Sequence, residues 1–137
     1  MPVSNKIPGS PHEWLARAKS NLAIAMQKKP DEAYWEDLCY NTQLAAEKAI
    51  KAVLLHKEIP FRYVHDLEEL ITTLGRNNIA IPELIKESVI LTQYAFETRY
   101  PGDYEPISES EYREAIDLAQ QVVLWAESII ERKKETQ

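Results

Sequence analysis

The stretch YWEDLCYNTQLAAEKAIKAVLLHK, residues 34 to 57, decides the fold. Its apolar and small residues recur at intervals of three and four, which places them on one broad face of a helix. These residues are Leu38, Thr42, Ala45, Ala46, Ala49, Ile50 and Val53. No glycine or proline interrupts the stretch, so it predicts one helix roughly 36 Å long, enough to span a small domain. We expect the rest of the chain to pack against this helix.

A first helix is predicted before it, beginning at residues 10–13, SPHE, and ending near Lys29. The serine can cap the helix, the proline suits the first helical position, and Glu13 can complete a capping box. The face expected to be buried carries Trp14, Ala18, Leu22, Ala25 and Met26. After the long helix, Pro60 is expected to end it, and the aromatic residues of segment 59–64, IPFRYV, to anchor the crossing to the core.

Three more helices are predicted after this crossing. The third helix has apolar residues in helical spacing from Leu67 to Leu74, with Gly75 just past its end. The fourth runs from residue 83 to about residue 98. The fifth follows a second capping box, Ser108-x-x-Glu111, and continues to about residue 130. Because no stretch alternates with the period of a strand, we predict an all-α, up-and-down bundle of about five helices.

Length and composition indicate one domain of cytoplasmic type. The chain has 137 residues, 45% of them hydrophobic, which suits a single core. We expect a flexible leader at residues 1–9, one helical domain at residues 10–132, and a frayed tail at residues 133–137. No signal peptide or membrane-spanning run is apparent, and the single Cys39 cannot form an internal disulfide. A net charge of −6 opposes indiscriminate attraction to nucleic acid or anionic membrane, so any anion site must be a local patch.

The usual catalytic and cofactor motifs are absent. The three glycines are scattered, so there is no phosphate-binding glycine loop. The three histidines, His12, His56 and His65, lack the paired spacing of a zinc site, and we expect neither a metal nor a cofactor. Cys39, in the middle of a helix among apolar residues, is best interpreted as inert packing.

Two polar clusters are candidate sites. In the first, residues 47–65, basic residues outnumber acidic ones, and Gln43, Glu47 and Lys51 are spaced by four, so they share a stripe that could line a groove. The alternative interpretation is a solvated face with ion pairs inside the helix. The second cluster is segment 98–104, TRYPGDY, in which Arg99 and Tyr100 could contact a phosphate or nucleotide. Its alternative interpretation is an interhelical loop in which Arg99 caps carbonyl groups and Tyr100 packs.

Segments 41–55 (NTQLAAEKAIKAVLL), 64–67 (VHDL) and 98–101 (TRYP), in this order, resemble the HEPN family, the higher eukaryotes and prokaryotes nucleotide-binding domain. Trp14 resembles part of the family's opening helix and Trp125 part of its last, so the similarity covers about residues 11 to 131. The resemblance implies a bundle of about five helices, of the type found in nucleotidyltransferase substrate-binding subunits, commonly paired into a homodimer. It also implies a small nucleotidyltransferase partner in a toxin–antitoxin-like pair.

Catalytic branches of the family are metal-independent ribonucleases with the motif Arg-x4-6-His. No arginine stands at that distance before any of the three histidines. Our first hypothesis is therefore a module that binds nucleotide or RNA phosphate and a protein partner, with no enzymatic activity assigned. The residues predicted to bind phosphate are Lys48, Lys51, His65, Arg99 and Tyr100.

Two alternatives remain open. The first is a ribonuclease toxin in which His65 or His56 acts as general acid or base while Arg62, Lys51 or Arg99 stabilises the phosphate. The second is a dimerisation adaptor without a ligand, for which partner binding would not depend on the polar clusters.

Overall fold

The computed structural model describes residues 9–95 and 105–131. Its helices are α1 (Pro11–Ala25), α2 (Trp35–His56), α3 (Leu67–Arg76), α4 (Glu83–Glu87), a 3-10 helix (Ser88–Tyr94) that follows α4 directly, and α5 (Glu109–Ile130). No strand occurs within these two ranges, so the predicted all-α class is confirmed. None of the helices in them combines the length and apolar composition that crossing a bilayer requires.

Helix α2 lies at the centre of the bundle, as its sequence predicts, and contacts α1, α3, the 3-10 helix and α5. The α2 residues that are completely buried include Cys39, Ala45, Ala46, Ala49, Ile50, Ala52, Val53 and Leu54. Small side chains at four of these positions let the neighbouring helices approach closely, and the larger ones fill the space between them. The predicted apolar face is therefore the core of the domain.

Side-chain contacts fix the directions of the three long helices. Asn21 of α1 donates a hydrogen bond to Asn41 near the start of α2, so these two helices run antiparallel. Gln120 near the middle of α5 contacts Met26 just after the end of α1, and His12 near the start of α1 lies 3.9 Å from Glu131 at the end of α5. Helix α1 is thus antiparallel to both α2 and α5, and the short middle helices return the chain between them.

Helices α2 and α3 are each ended by a residue in the left-handed backbone conformation. The sequence had suggested Pro60 for the end of α2 and Gly75 for the end of α3. Glu58 and Asn78 have φ values of 59° and 67°. At each end the next residue donates its N–H across the turn, from Ile59 to the carbonyl of Leu54 (2.9 Å) and from Ile79 to that of Leu74 (3.2 Å). These bonds satisfy carbonyl groups that would otherwise lack a partner. The expectation that Gly75 follows the end of α3 was wrong, because α3 includes it.

Helices α1 and α4 are shorter than their patterns predicted. Helix α1 ends at Ala25, not near Lys29, and Met26 is 47% exposed. Lys29 lies in the connection, where its ammonium group donates to the carbonyl of Ala33 and lies 5.2 Å from the ring of Trp35.

The predicted fourth helix is α-helical for one turn and then continues as the 3-10 helix. The buried hydroxyl of Ser88 bonds the carbonyl of Ile85, and the β-branched residues that follow disfavour α-helix. One of them, Thr92, accepts a hydrogen bond from the N–H of Leu67 and so caps α3.

Candidate anion-binding site

Three polar side chains of α2 form a buried network. Gln43, Glu47 and Lys51 are one turn apart and share a helix face, and they are only 0%, 3% and 5% exposed. Glu47 accepts a hydrogen bond from each of the others, at 3.0 Å from Gln43 Nε2 and at 2.7 Å from Lys51 Nζ. An ion pair inside the helix is therefore present, but the interpretation of this stripe as a solvated face was wrong, because the pair is buried.

His65 joins the network from the segment between α2 and α3. Its Nδ1 lies 2.9 Å from Glu47 Oε1, and its backbone carbonyl accepts a second hydrogen bond from Gln43 Nε2 at 3.2 Å. A carboxylate only accepts hydrogen bonds, so Nδ1 carries a proton, and in the neutral form of the ring Nε2 is the accepting nitrogen. The His65 side chain is 55% exposed whereas that of Glu47 is 4% exposed, so a buried carboxylate orients an imidazole at the surface.

The charge of Glu47 depends on its partners. Burial alone would raise the pKa of this carboxyl, but hydrogen bonds from Lys51, His65 and Gln43 and the charge of Lys51 outweigh it, and the pKa is lowered below its ordinary value. Glu47 is therefore ionised at neutral pH and neutralises the ammonium group of Lys51. The buried pair has no net charge.

Lys48 carries positive charge that is not neutralised in this way. Its side chain makes no hydrogen bond or salt bridge with another residue in the described ranges. Partial burial and the charges of Arg17 and Lys51 lower the pKa of Lys48, although Glu47 opposes this effect. Arg17, on α1, pairs with Glu13 through Nε at 2.8 Å. The contact between α1 and α2 thus brings two cations together in an acidic protein.

Aromatic rings surround the ammonium group of Lys51. The rings of Trp14 and Tyr63 each have their centroid 5.8 Å from Lys51 Nζ, within the range of cation–π attraction. Trp14 is partly buried against the core, whereas Tyr63 is 79% exposed. Phe61 and Val64 pack against the core, so segment 59–64 is anchored as predicted, except at Tyr63.

The structure brings together three of the predicted phosphate-binding residues, Lys48, Lys51 and His65. Arg99 and Tyr100 belong to the second cluster, which lies outside the described residues. Arg17 and Tyr63 join the group but were not predicted. The charge of Arg17, on α1, acts on Lys48 of α2, an interaction that the spacing along one helix does not show. Tyr63 was expected to point into the core.

The other candidate histidine lies elsewhere. His56 is nine residues after Glu47, about 13 Å farther along α2. Burial and the nearby charges of Lys57 and His12 lower the pKa of His56. These residues lie at the end of the bundle that is opposite the start of α2. Arg62, the other residue named for catalysis, pairs with Glu69 at 2.9 Å. Within the described ranges, no three His, Cys, Asp or Glu side chains are close enough together to hold a metal ion.

Comparisons with known proteins agree with the fold. The family model of the HEPN domain matches residues 11–129. Among solved structures, the chain is similar to the crystal structure of ST0689, an archaeal HEPN homologue, with a TM-score of 0.71 and 26% sequence identity, over 88% of this chain and 98% of that chain. No curated protein matches. Since the family model covers most of its length, the chain belongs to the HEPN domain family.

Proposed function

We propose that this HEPN protein binds the phosphate groups of a nucleotide or an RNA, and that it works with a protein partner. The observation that carries the proposal is the group of basic side chains around buried Glu47, in which Lys51 and His65 share one carboxylate and the Lys48 side chain has no salt bridge within the described ranges. Cations placed together cost free energy unless an anion joins them, so such a cluster in a chain of net charge −6 is a candidate anion site.

The residues have different roles in this proposal. Lys48 and Arg17 attract the phosphate directly, and Arg99 and Tyr100 contribute a guanidinium fork and a hydroxyl or ring. His65 donates a hydrogen bond through Nε2 when it is protonated, while Glu47 fixes its orientation. Lys51 lends positive charge but already donates to Glu47, so it positions the carboxylate and does not bind the phosphate alone.

Calorimetric titration with mononucleotides and with short RNA tests this proposal. Lys48→Met and Arg99→Ala should each weaken binding about 10- to 150-fold, because a charge-assisted hydrogen bond contributes roughly 1.5–3 kcal/mol. Lys86→Met is the matched control, since Lys86 is an exposed lysine on α4. Absence of binding, or equal affinity of the wild type and both binding-site variants, would refute the proposal.

The partner in this proposal is a small nucleotidyltransferase, in a toxin–antitoxin-like pair, and the HEPN protein is a homodimer. Both parts rest on membership of the family, in which dimers are common. Exposed apolar side chains on and next to α1 and α5 provide a candidate contact surface: Ile24, Met26 and Leu124 are 45%, 47% and 58% exposed. Sedimentation analysis of the protein alone, and then with the nucleotidyltransferase of a neighbouring reading frame, tests both parts. A monomer that does not bind this enzyme would refute them.

The hydrogen bond between Glu47 and His65 favours a second candidate, a metal-independent ribonuclease. Nε2 of His65 would take the proton of the RNA 2′-hydroxyl, the 2′-oxygen would bond to phosphorus, and the bond to the 5′-oxygen would break as that oxygen takes a proton from water. A Glu47 carboxylate that accepts from Nδ1 would stabilise the imidazolium that forms.

Incubation with RNA in the presence of a chelator tests this candidate. His65→Ala should abolish cleavage and His56→Ala should not, because within the described ranges His65 pairs with a carboxylate and His56 does not. No cleavage by the wild type, or cleavage that survives His65→Ala, would exclude the reaction. If partner binding also survives alanine at Lys48, Lys51 and His65 together, the adaptor interpretation applies.

A further inference from the structure

Tyr63 is the most exposed of the large hydrophobic side chains in the described part of the chain, at 79%. A tyrosine at the surface gains nothing from burial, and its ring is available to whatever binds there. The ring is supported from two sides within the protein. The Phe61 ring meets it edge-on, with centroids 5.4 Å apart and an interplanar angle of 66°, and Lys51 Nζ lies 5.8 Å from its centroid.

The backbone on both sides of Tyr63 is fixed. Arg62 pairs with Glu69 of α3, and the N–H of Val64 bonds the carbonyl of Arg62 at 3.0 Å in a tight turn. Val64 packs against the core, and the carbonyl of His65 accepts from buried Gln43. Each neighbour of Tyr63 is thus attached to the domain by a contact of its own, while the tyrosine ring is 79% exposed. A ring presented in this way loses little conformational entropy when a ligand packs on it.

The surroundings of the ring indicate what it binds. Lys51 lies within cation–π distance of the ring, the charges of Lys51 and Arg17 both act on Lys48, and His65 stands two residues farther along the chain. An aromatic face beside cations suits a ligand with a flat ring joined to a phosphate, because bases stack on aromatic side chains while cations bind the backbone. A protein partner that packed on the Tyr63 ring would not need the cations near it.

We propose that Tyr63 is the stacking platform for a nucleobase, so that the ligand is a nucleotide or single-stranded RNA with an accessible base. This inference rests on the proposed phosphate site and adds recognition of the base to it. A base lies flat on the exposed face of the ring, and its phosphate reaches Lys48 and Arg17. Paired bases inside a duplex cannot stack there, and a phosphate without a base gains nothing from Tyr63.

Affinity measurements with matched ligands test the stacking. The ligands are a short single-stranded RNA, an abasic oligonucleotide of the same length, the duplex form of the RNA, and a mononucleotide. Tyr63→Ala should weaken binding of the single strand about 5- to 100-fold and leave the abasic ligand unchanged. Tyr63→Phe, which keeps the ring, should bind within about twofold of the wild type. Tyr34→Ala is the control, since Tyr34 is 71% exposed and precedes α2, far from the cluster along that helix.

A fluorescent base analogue in the single strand gives a second readout, because stacking on Tyr63 quenches its emission and Tyr63→Ala should restore it. A mononucleotide that binds as tightly as the longer strand identifies a nucleotide ligand, and tighter binding of the strand identifies RNA; both support the inference. Three results would overturn the inference. They are unchanged affinity of Tyr63→Ala for the single strand, equal binding of duplex and single strand, or a Tyr63→Ala variant that loses only its binding to the protein partner. If Lys48→Met still weakens binding in that case, the phosphate site stands. If no ligand binds, both proposals fail.

Discussion

Glu47→Met is expected to destabilise the protein by about 3 kcal/mol, and adding Lys51→Met should recover most of that loss. Glu47 and Lys51 have side chains only 4% and 6% exposed and 2.7 Å apart. Methionine replaces each of them with an unbranched side chain of similar length. Removing the carboxylate alone leaves an ammonium group buried without a counter-charge, which costs roughly 3–5 kcal/mol. We expect the lower end because His65, beside the pair, reaches solvent.

Lys51→Met alone should cost less, about 1–3 kcal/mol. The carboxylate of Glu47 then keeps its hydrogen bonds from Gln43 and His65. The double variant buries no charge, and a buried ion pair replaced by apolar side chains of similar volume is often neutral in stability. We therefore expect the double variant to be about 2 kcal/mol more stable than Glu47→Met, although it carries one more substitution.

Urea denaturation followed by circular dichroism measures these differences. With a slope of about 1.5 kcal/mol/M, a loss of 3 kcal/mol lowers the urea midpoint by about 2 M. Glu127→Met is the control, because it removes the carboxylate of an ion pair with Lys19 that is equally short, 2.6 Å, but exposed, and it should cost less than about 1 kcal/mol. Additive effects of the two substitutions in the Glu47 pair, or equal effects of Glu47→Met and Glu127→Met, would refute the burial argument.

The pH dependence follows from the same carboxyl. The pKa of Glu47 is lowered in the folded protein below its ordinary value of 4.5, so its stabilising contribution is complete above pH 4.5 and is lost as the pH falls through the lower folded pKa. The difference in stability between the wild type and Glu47→Met should therefore shrink on acidification below pH 4.5. A difference that stays constant from pH 7 to pH 3 would show that the charge of Glu47 is not what stabilises the network.

Three further substitutions test other features. Lys48→Met should leave the urea midpoint unchanged or slightly higher, because the folded state disfavours the ammonium group of Lys48; a clear loss of stability would contradict its assignment as an unneutralised cation. Glu58→Gly should stabilise the protein by about 0.5–1 kcal/mol, since glycine accepts a φ of 59° without strain, and no gain in thermal unfolding would contradict this. Ser108→Ala should cost about 1 kcal/mol by removing the cap of α5, whereas Ser110→Ala, inside the same helix, should not; equal effects would count against the cap.

The periodicity of the sequence was enough to predict the helices and the centre of the bundle. Both cap predictions concern short-range geometry and are confirmed: the hydroxyls of Ser10 and Ser108 accept hydrogen bonds from Glu13 and Glu111. The second is a full capping box, because the Glu111 carboxylate accepts a hydrogen bond from the N–H of Ser108. The first is not, because the Glu13 carboxylate pairs with Arg17 instead. Local signals of this kind depend on residues three or four apart, which a sequence displays directly.

The helix ends could not be predicted with the same reliability. Glutamate is an unusual residue at positive φ, so residues 57–59 do not reveal the turn that ends α2, although the predicted end at Lys57 is one residue from the observed end at His56. At the fourth helix, apolar spacing is similar for α and 3-10 turns over a few residues, and the hydroxyl of Ser88 acts only once it is buried. These choices depend on the packing of the whole domain.

The candidate site also combines features that the sequence predicts with features that depend on the packing of the whole domain. The spacing of Gln43, Glu47 and Lys51 placed them on one face, as observed, but their burial depends on rings from α1 and from the segment before α3. The effect of the Arg17 charge on Lys48 depends on the register of α1 against α2. Sequence spacing therefore predicts which polar groups of one helix act together, and only the folded chain shows which charges are neutralised.

The Glu47 network is better explained by the orientation of His65 than by stability. A pair of methionines could fill the same space without the cost of desolvating two charges, so the ion pair does not account for the fold. Its carboxylate instead fixes a proton of His65 on Nδ1 and leaves the side chain of that histidine 55% exposed, two residues after Tyr63. The residues that maintain this arrangement lie on the same helix that organises the bundle. The central helix thus defines both the core and the geometry of the surface at which we place the ligand.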